Sequence, residues 1–190
     1  MENPDTPWLR EYEGRSPKPF TQPPSPAAVF FLKFLESKGA RTAGATLADI
    51  GCGSGRDSVF FARNGFEVHA IDRDSSVTEG LDMHSVRVHC HSAMDAWLFE
   101  DAFFDFAIDV LCYGQEQDAE GKRFYRRELK RTLKPGGYYL LCVPAPPPAS
   151  PGAAAIRIAK EFSGFTAAAS EESDDAGKRV LSIVLQAKAI

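Results

Sequence analysis

Between Thr46 and Val143, short apolar runs alternate with segments whose apolar residues recur at helical spacing. "TLADI", "FEVHAID", "VRVHCH", "FFDFAIDVL" and "GYYLLCV" read as strands. "GRDSVFFARNG", the short "DSSVTEGLDMH" and "EGKRFYRRELKRTLK" read as helices. In the last of these, Phe124, Leu129 and Leu133 lie on or near one face and cations on the other. Few folds satisfy such an alternation. Parallel strands need a crossover, the crossover is right-handed, and its helices must cover both faces of a mostly parallel sheet. Upstream, Ser25-Pro26 reads as a helix cap and first turn for "AAVFFLKFLESKG", with Gly39 as the stop. Downstream of "PAPPPASPG", the helix "AAAIRIAKEF" precedes two strands, "GFTAAAS" and "KRVLSIVLQAKA", with the acidic loop "EESDDAG" between them. Two strands with no helix between them predict an antiparallel hairpin at the sheet end. The expected fold is α/β: a doubly wound, seven-stranded, mostly parallel sheet with an antiparallel C-terminal hairpin and helices on both faces. The 190 residues suffice for one such domain, residues 25–190, preceded by an arm, residues 1–24.

In a sheet of this type, ligands bind beyond the carboxyl ends of the strands, where the strand order reverses. The first strand ends at Ile50, so the bend Gly51-Cys52-Gly53-Ser54-Gly55 stands at that place. Glycine permits a sharp turn and close approach of a ligand to the main chain, and the helix from Arg56 offers free amides and a positive dipole end. Asp72 closes the second strand at the same edge, about 4.8 Å across. A carboxylate there accepts hydrogen bonds from a ribose diol.

The spacing G-x-G-x-G departs from the dinucleotide pattern G-x-G-x-x-G, whose third glycine is replaced here by Arg56. Asp49, just inside the strand end, would repel a pyrophosphate and suit an ammonium group. A nucleoside cofactor with a ribose, an ammonium and no phosphate is S-adenosylmethionine.

With these residues in hand, "LADIGCGSGRDSVFFARNGFEVHAIDRD" resembles the first two motifs of the class I S-adenosylmethionine-dependent methyltransferases. "FFDFAIDV" resembles their fourth-strand motif, "LKRTLKPGGYYLLCV" their fifth, and the final hairpin their sixth and seventh strands. The resemblance spans Ser25 to Ile190 and implies a Rossmann-like fold. Its compact first motif is most similar to the small tellurite-resistance and thiopurine-type branch. It implies that Asp49 and Gly51 hold the methionine end, Asp72 the ribose, and Gly53 and Gly55, with Cys52 just before them, the close backbone. Arg73 would lie along the adenine. The family's adenine-binding acid would fall near Ala93, leaving Asp95 or the Met94 backbone for that contact. Asp109, Val110, Leu111, Cys112 and Tyr113 would border the transferable methyl. Asp109 and Tyr113, with Glu116, are the candidate proton acceptors for a substrate that needs one. The arm, with Trp8, Tyr12 and Phe20, would act as a lid.

The bulk properties narrow the partners. A net charge of −4 argues against a duplex nucleic-acid binder, although Lys122, Arg123, Arg126, Arg127, Lys130, Arg131 and Lys134 cluster on one helix. Cys52, Cys90, Cys112 and Cys142 form no CxxC pair and read as reduced, buried thiols. No apolar run is long enough for a bilayer, and the first residues lack a signal-peptide pattern, so a cytoplasmic protein is expected. His69, His84, His89 and His91 lack the acids or thiols that would complete a metal site, and none is expected. The expected activity is methyl transfer to a small-molecule acceptor by a monomer or homodimer. The competing readings are a non-catalytic nucleoside-binding module and an NAD(P)-dependent oxidoreductase.

Overall fold

A computed structural model describes residues 22–76, 81, 85–116, 118–145 and 151–189. Most of the arm, including Trp8, Tyr12 and Phe20, lies outside the described residues, as does most of "DSSVTEGLDMH". The elements run α1 (Pro26–Ser37), β1 (Thr46–Ile50), α2 (Arg56–Arg63), β2 (Glu67–Asp72), β3 (Val86–Cys90), β4 (Phe104–Val110), a 3-10 turn (Tyr113–Gln115), α3 (Ala119–Thr132), β5 (Leu133–Pro144), α4 (Pro151–Ala159), β6 (Phe165–Asp175) and β7 (Lys178–Ala187). The seven strands form one sheet in the order β3-β2-β1-β4-β5-β7-β6. β7 pairs antiparallel with both β5 and β6, and the other pairings are parallel.

Local signals account for the helix ends. Ser25 Oγ accepts from the Ala28 amide at 3.0 Å, Pro26 fills the first position, and Gly39 takes φ +64° just past the end. Asp118 Oδ2 caps α3 through the Gly121 amide at 2.7 Å. Two apolar layers sandwich the sheet. Ala28, Phe31 and Leu35 of α1 and Val59 and Phe61 of α2 pack on Leu47, Val68, Phe106 and Leu140. Tyr125 and Leu129 of α3, Ala154 and Ala155 of α4, and Trp97 pack on Ile50, Ile71, Tyr139 and Ile183.

Three expectations are corrected. Leu133 does not end a helix face; it opens β5 and pairs with Phe104. The buried face of α3 holds Tyr125, Glu128, Leu129 and Thr132, whereas Phe124 is half-buried beneath Arg127, 4.2 Å from the ring centre. "EESDD" is not a loop but the second half of β6, which pairs with β7 as far as Asp175↔Lys178. The turn shrinks to Ala176-Gly177, with φ +53° and +83°, the hand that matches the twist of a two-residue hairpin.

Candidate active site

Strand register builds the site. Chain progression reverses between β1 and β4, which makes the carboxyl edge of β1 the switch point of the sheet. Ile50 stands opposite Ile71, so Gly51 leaves β1 where Asp72 ends β2. The amides of Gly51 and Cys52 both donate to the Ile71 carbonyl, at 2.8 and 3.1 Å. Gly51, Gly53 and Gly55 have φ +71°, +52° and +77°, a region costly to residues with a side chain. At Gly51 an added Cβ would overlap Cys112 Cβ and lie 2.5 Å from its Sγ. The glycine therefore admits the loop after β4, and the two loops touch.

Both oxygens of Asp72 brace this bend: Oδ2 accepts from the Gly53 amide at 2.9 Å and Oδ1 from the Asp74 amide at 3.0 Å. Each oxygen keeps further acceptor capacity. Asp49 is buried, and Ser58 Oγ donates to its Oδ2 at 2.5 Å. Burial pushes the Asp49 carboxyl up to about 8, with the charge of Asp57 next and those of Asp109 and Asp72 adding, against the Ser58 hydrogen bond. Asp57 is raised as well, by burial, although Arg56 opposes the shift. Asp57 Oδ1 also accepts from the Ser25 amide at 2.7 Å, which ties the root of α1 to the first turn of α2. Arg56 forks onto Asp175 at 3.1 and 2.9 Å, fastening the hairpin tip beside the bend.

The end of β4 departs from expectation. Asp109 is fully buried and spent on the protein itself. Oδ1 accepts from the Cys112 amide at 2.9 Å, Oδ2 from the Tyr113 amide at 3.0 Å and from the Tyr125 hydroxyl at 2.7 Å. Burial pushes its carboxyl up to about 7 against these donors. Both of its oxygens are thus engaged by the loop after β4 and by α3. Tyr113 is buried, its hydroxyl accepting from Arg126 and donating to Glu161 Oε2 at 2.9 Å. Burial, aided by Glu161, pushes that phenol up to about 12, so it is no proton acceptor near neutrality. Val110, Leu111 and Cys112 are half-buried, and Leu111 takes φ +70°.

At the end of β3, Cys90 pairs with Asp72, and residues 92–95 turn immediately beyond it. Ala93 is buried and its carbonyl accepts from Trp97 Nε1 at 2.9 Å. Met94 is half-buried and Asp95 exposed in the same turn; Arg73 is exposed on the β2 side. Sequence reasoning missed Asp57, Ser58 and Tyr125. The first two stand in the turn directly after the glycines, where a helix start offers them to the bend. Tyr125 stands four positions before Leu129, the helical spacing, whereas Phe124 stands five before it, so the period already pointed to Tyr125.

His69 and His89 stack with ring centres 5.1 Å apart, His69 Nδ1 lying 2.9 Å from His89 Nε2, against Phe99 and Phe104. Among the described residues no cluster of three or more His, Cys, Asp or Glu could hold a metal. No described helix is long and apolar enough to cross a membrane. Part of the basic stretch is spent internally: Arg131 of α3 grips Glu128, Asp101 and the Phe99 carbonyl, and Lys134, at the start of β5, binds Asp105 at 2.6 Å. All four cysteines are free; Cys142 is buried, Cys52 and Cys112 are half-buried, and Cys90 is exposed, contrary to the expectation for that thiol.

Comparison with curated proteins returned no match. Residues 47–137 match the methyltransferase domain family. Among solved structures, the 1,6-didemethyltoxoflavin-N1-methyltransferase of Burkholderia thailandensis, with bound 1,6-didemethyltoxoflavin and S-adenosylhomocysteine, superimposes with a TM-score of 0.70 at 21% identity, over 86% of this chain and 77% of that one. The N-methyltransferase NodS of Bradyrhizobium japonicum does so with 0.70 at 14%, over 95% and 96%. A TehB-like S-adenosylmethionine-dependent methyltransferase from Corynebacterium glutamicum gives 0.61 at 18%, over 84% and 96%. The fold is the one shared by S-adenosylmethionine-dependent methyltransferases, and the stretch from β1 into β5 that carries the glycine bend is the part that matches their domain family.

Proposed function

We propose that the chain is a methyltransferase that moves the methyl group of S-adenosylmethionine to a small-molecule nucleophile. The observation that carries this reading is the charge at the glycine bend. Asp72 braces the bend through the Gly53 amide, and Asp49, just before the bend, keeps its proton first through burial and then through the charges of Asp57, Asp109 and Asp72, so carboxyl groups converge on this place. A pyrophosphate is disfavoured there; a cationic amino-acid end is drawn in. The residues fit the cofactor: Asp49 and the close main chain of the Gly51–Gly55 bend suit the methionine end, and the remaining acceptor capacity of Asp72 suits a ribose diol. Arg73, Met94 and Asp95 stand on the adenine side, and Val110 and Cys112 wall the methionine side.

S-adenosylmethionine supplies a methyl group already activated on a cationic sulfur. The protein's share is orientation and exclusion of water. With Asp109 enclosed and Tyr113 held protonated, a soft acceptor that needs no proton removed at the transfer step is the best fit, which supports the tellurite-resistance and thiopurine-type branch. The arm leaves Ser25 beside Asp57, in the first turn after the glycines, and this supports a lid role for residues 1–24. Removing them is expected to lower turnover or acceptor affinity at least about tenfold; unchanged kinetics would dismiss the lid. The free thiols agree with a cytoplasmic setting, and we take the chain to act as a monomer or homodimer.

The test is calorimetric titration with S-adenosylmethionine, S-adenosylhomocysteine and NADH. Binding of the first two, lost in Asp72→Arg and absent with NADH, is expected. No heat with either sulfur nucleoside on folded protein overturns the reading. Release of S-adenosylhomocysteine across thiols, tellurite, selenite, amines and carboxylates then identifies the acceptor.

A further inference from the structure

Asp109, Tyr125 and Tyr139 form a chain of polar groups inside an otherwise apolar layer, and the function proposed above does not need them to touch a ligand. All three side chains are fully buried. Tyr125 has one hydroxyl proton, which it gives to Asp109 Oδ2 at 2.7 Å, so in the 2.9 Å contact between the phenols Tyr139 is the donor. The other acceptor sites of Asp109 take the amides of Cys112 and Tyr113. Those amides belong to the loop that reverses after β4, where Leu111 sits at φ +70° and its amide donates to the Cys142 carbonyl at 3.0 Å. A non-glycine residue in that conformation persists only where its surroundings enforce it. The reversed loop ends with Cys112 packed on Gly51, in the bend itself.

We propose that Asp109 is a positioning residue: through the amides of Cys112 and Tyr113 it holds the loop after β4 against Gly51 and so sets the width of the cofactor cleft. The inference rests on the cofactor reading above. The carboxylate form accepts two amides and a phenol at once, and the phenols on α3 and β5 are placed to support it. The ionisable groups acting on it are Tyr125, Tyr139, Asp49, Cys112 and Cys142, from α3, β5, β1 and the loop itself. A protonated Asp109 donates in place of accepting at one oxygen, which reverses the sense of the phenol chain and weakens the hold on the loop.

The test compares Asp109→Ala, Asp109→Asn and Tyr125→Phe with the parent protein, using two probes. S-adenosylhomocysteine affinity is measured by calorimetry from pH 5.5 to 8.5, and alkylation of Cys112 by iodoacetamide is followed by mass spectrometry. Asp109→Ala is expected to bind S-adenosylhomocysteine at least about tenfold more weakly and to alkylate Cys112 at least about fivefold faster. Asp109→Asn, which keeps an acceptor for the amides, should recover most of the affinity while losing one limb of the pH profile. Tyr125→Phe, which leaves the loop backbone untouched, should move that limb to higher pH. Failure of the parent protein to bind the probe would reject the cofactor reading. Normal parent binding, with Cys112 reactivity and the pH profile unchanged in folded Tyr125→Phe and Asp109→Asn, would reject the positioning role alone.

Discussion

At the scale of single residues, the contact between Gly51 and Cys112 joins the bend after β1 to the loop after β4. Replacing Gly51 by Ala has two separable costs. One is backbone strain at φ +71°, about 1–2 kcal/mol. The other is overlap with Cys112, about 1–3 kcal/mol for an overpacked site. Gly51→Ala is therefore expected to lose about 2–5 kcal/mol in denaturant unfolding and to weaken S-adenosylhomocysteine binding. Adding Cys112→Gly removes the overlapping Cβ and sulfur and should restore the overlap share but not the strain. A double variant no better than the sum of the singles would mean that the overlap is relieved by loop movement. The need for glycine at this bend was legible in the sequence, from its place after an apolar strand. Its reason was not, because the partner atom lies 61 positions away and belongs to a loop whose shape Asp109 determines. Asp109 itself read as a candidate base because a carboxylate at a strand end carries the same one-letter signature whether it faces a ligand or caps a turn.

Among the elements, alternation of period 2 and period 3.6 placed nearly every strand and helix, since burial on one face dictates the pattern directly. It failed where composition and position competed. The acidic "EESDD" reads as loop, yet β6 is an edge strand, where exposed acids are welcome and discourage pairing with other chains. The turn that closes this hairpin offers a prediction. Ala176 occupies φ +53° and is followed by Gly177 at +83°, the conformation in which Asn-Gly is preferred. Ala176→Asn should stabilise by about 0.5–1 kcal/mol and raise Tm by about 1–4 °C. The fork from Arg56 onto Asp175 stands next to this turn, so the gain should persist in Arg56→Ala if it is local to the turn. A lowered Tm in Ala176→Asn would show that the hairpin tip is held by contacts other than the turn itself.

For the whole molecule, the buried acids and the stacked histidines oppose one another along the pH axis. Asp49 and Asp109 are raised from an ordinary 3.8 to about 8 and about 7, so the folded chain keeps protons that the unfolded chain has released. Asp57 is raised in the same sense. His69 is lowered from 6.5 to about 4, mainly by burial, and His89 is lowered too, so the unfolded chain takes up protons there first. Between about pH 4 and 6.5 the two sets offset each other. Above 6.5 the histidines are neutral in both states and only the acids still titrate. Stability then falls with rising pH, by roughly 1.4 kcal/mol per pH unit for each proton held more tightly in the folded state. Asp105 and Glu128 are held below their usual range despite burial, by Lys134 and Arg131 among others; their contribution is lost only as pH falls through their lowered folded values. The ligand-free protein should therefore be most stable below neutrality, with Tm declining from pH 6.5 to 8. A bound ammonium group favours the Asp49 carboxylate, so the Tm increment given by S-adenosylhomocysteine should widen over the same interval, and binding near pH 7 should release a proton, seen as a heat that depends on the buffer. A Tm that climbs from pH 6.5 to 8 without ligand, or a binding heat independent of buffer, would mean that Asp49 is already ionised and that the cleft does not hold its charge in reserve for the cofactor.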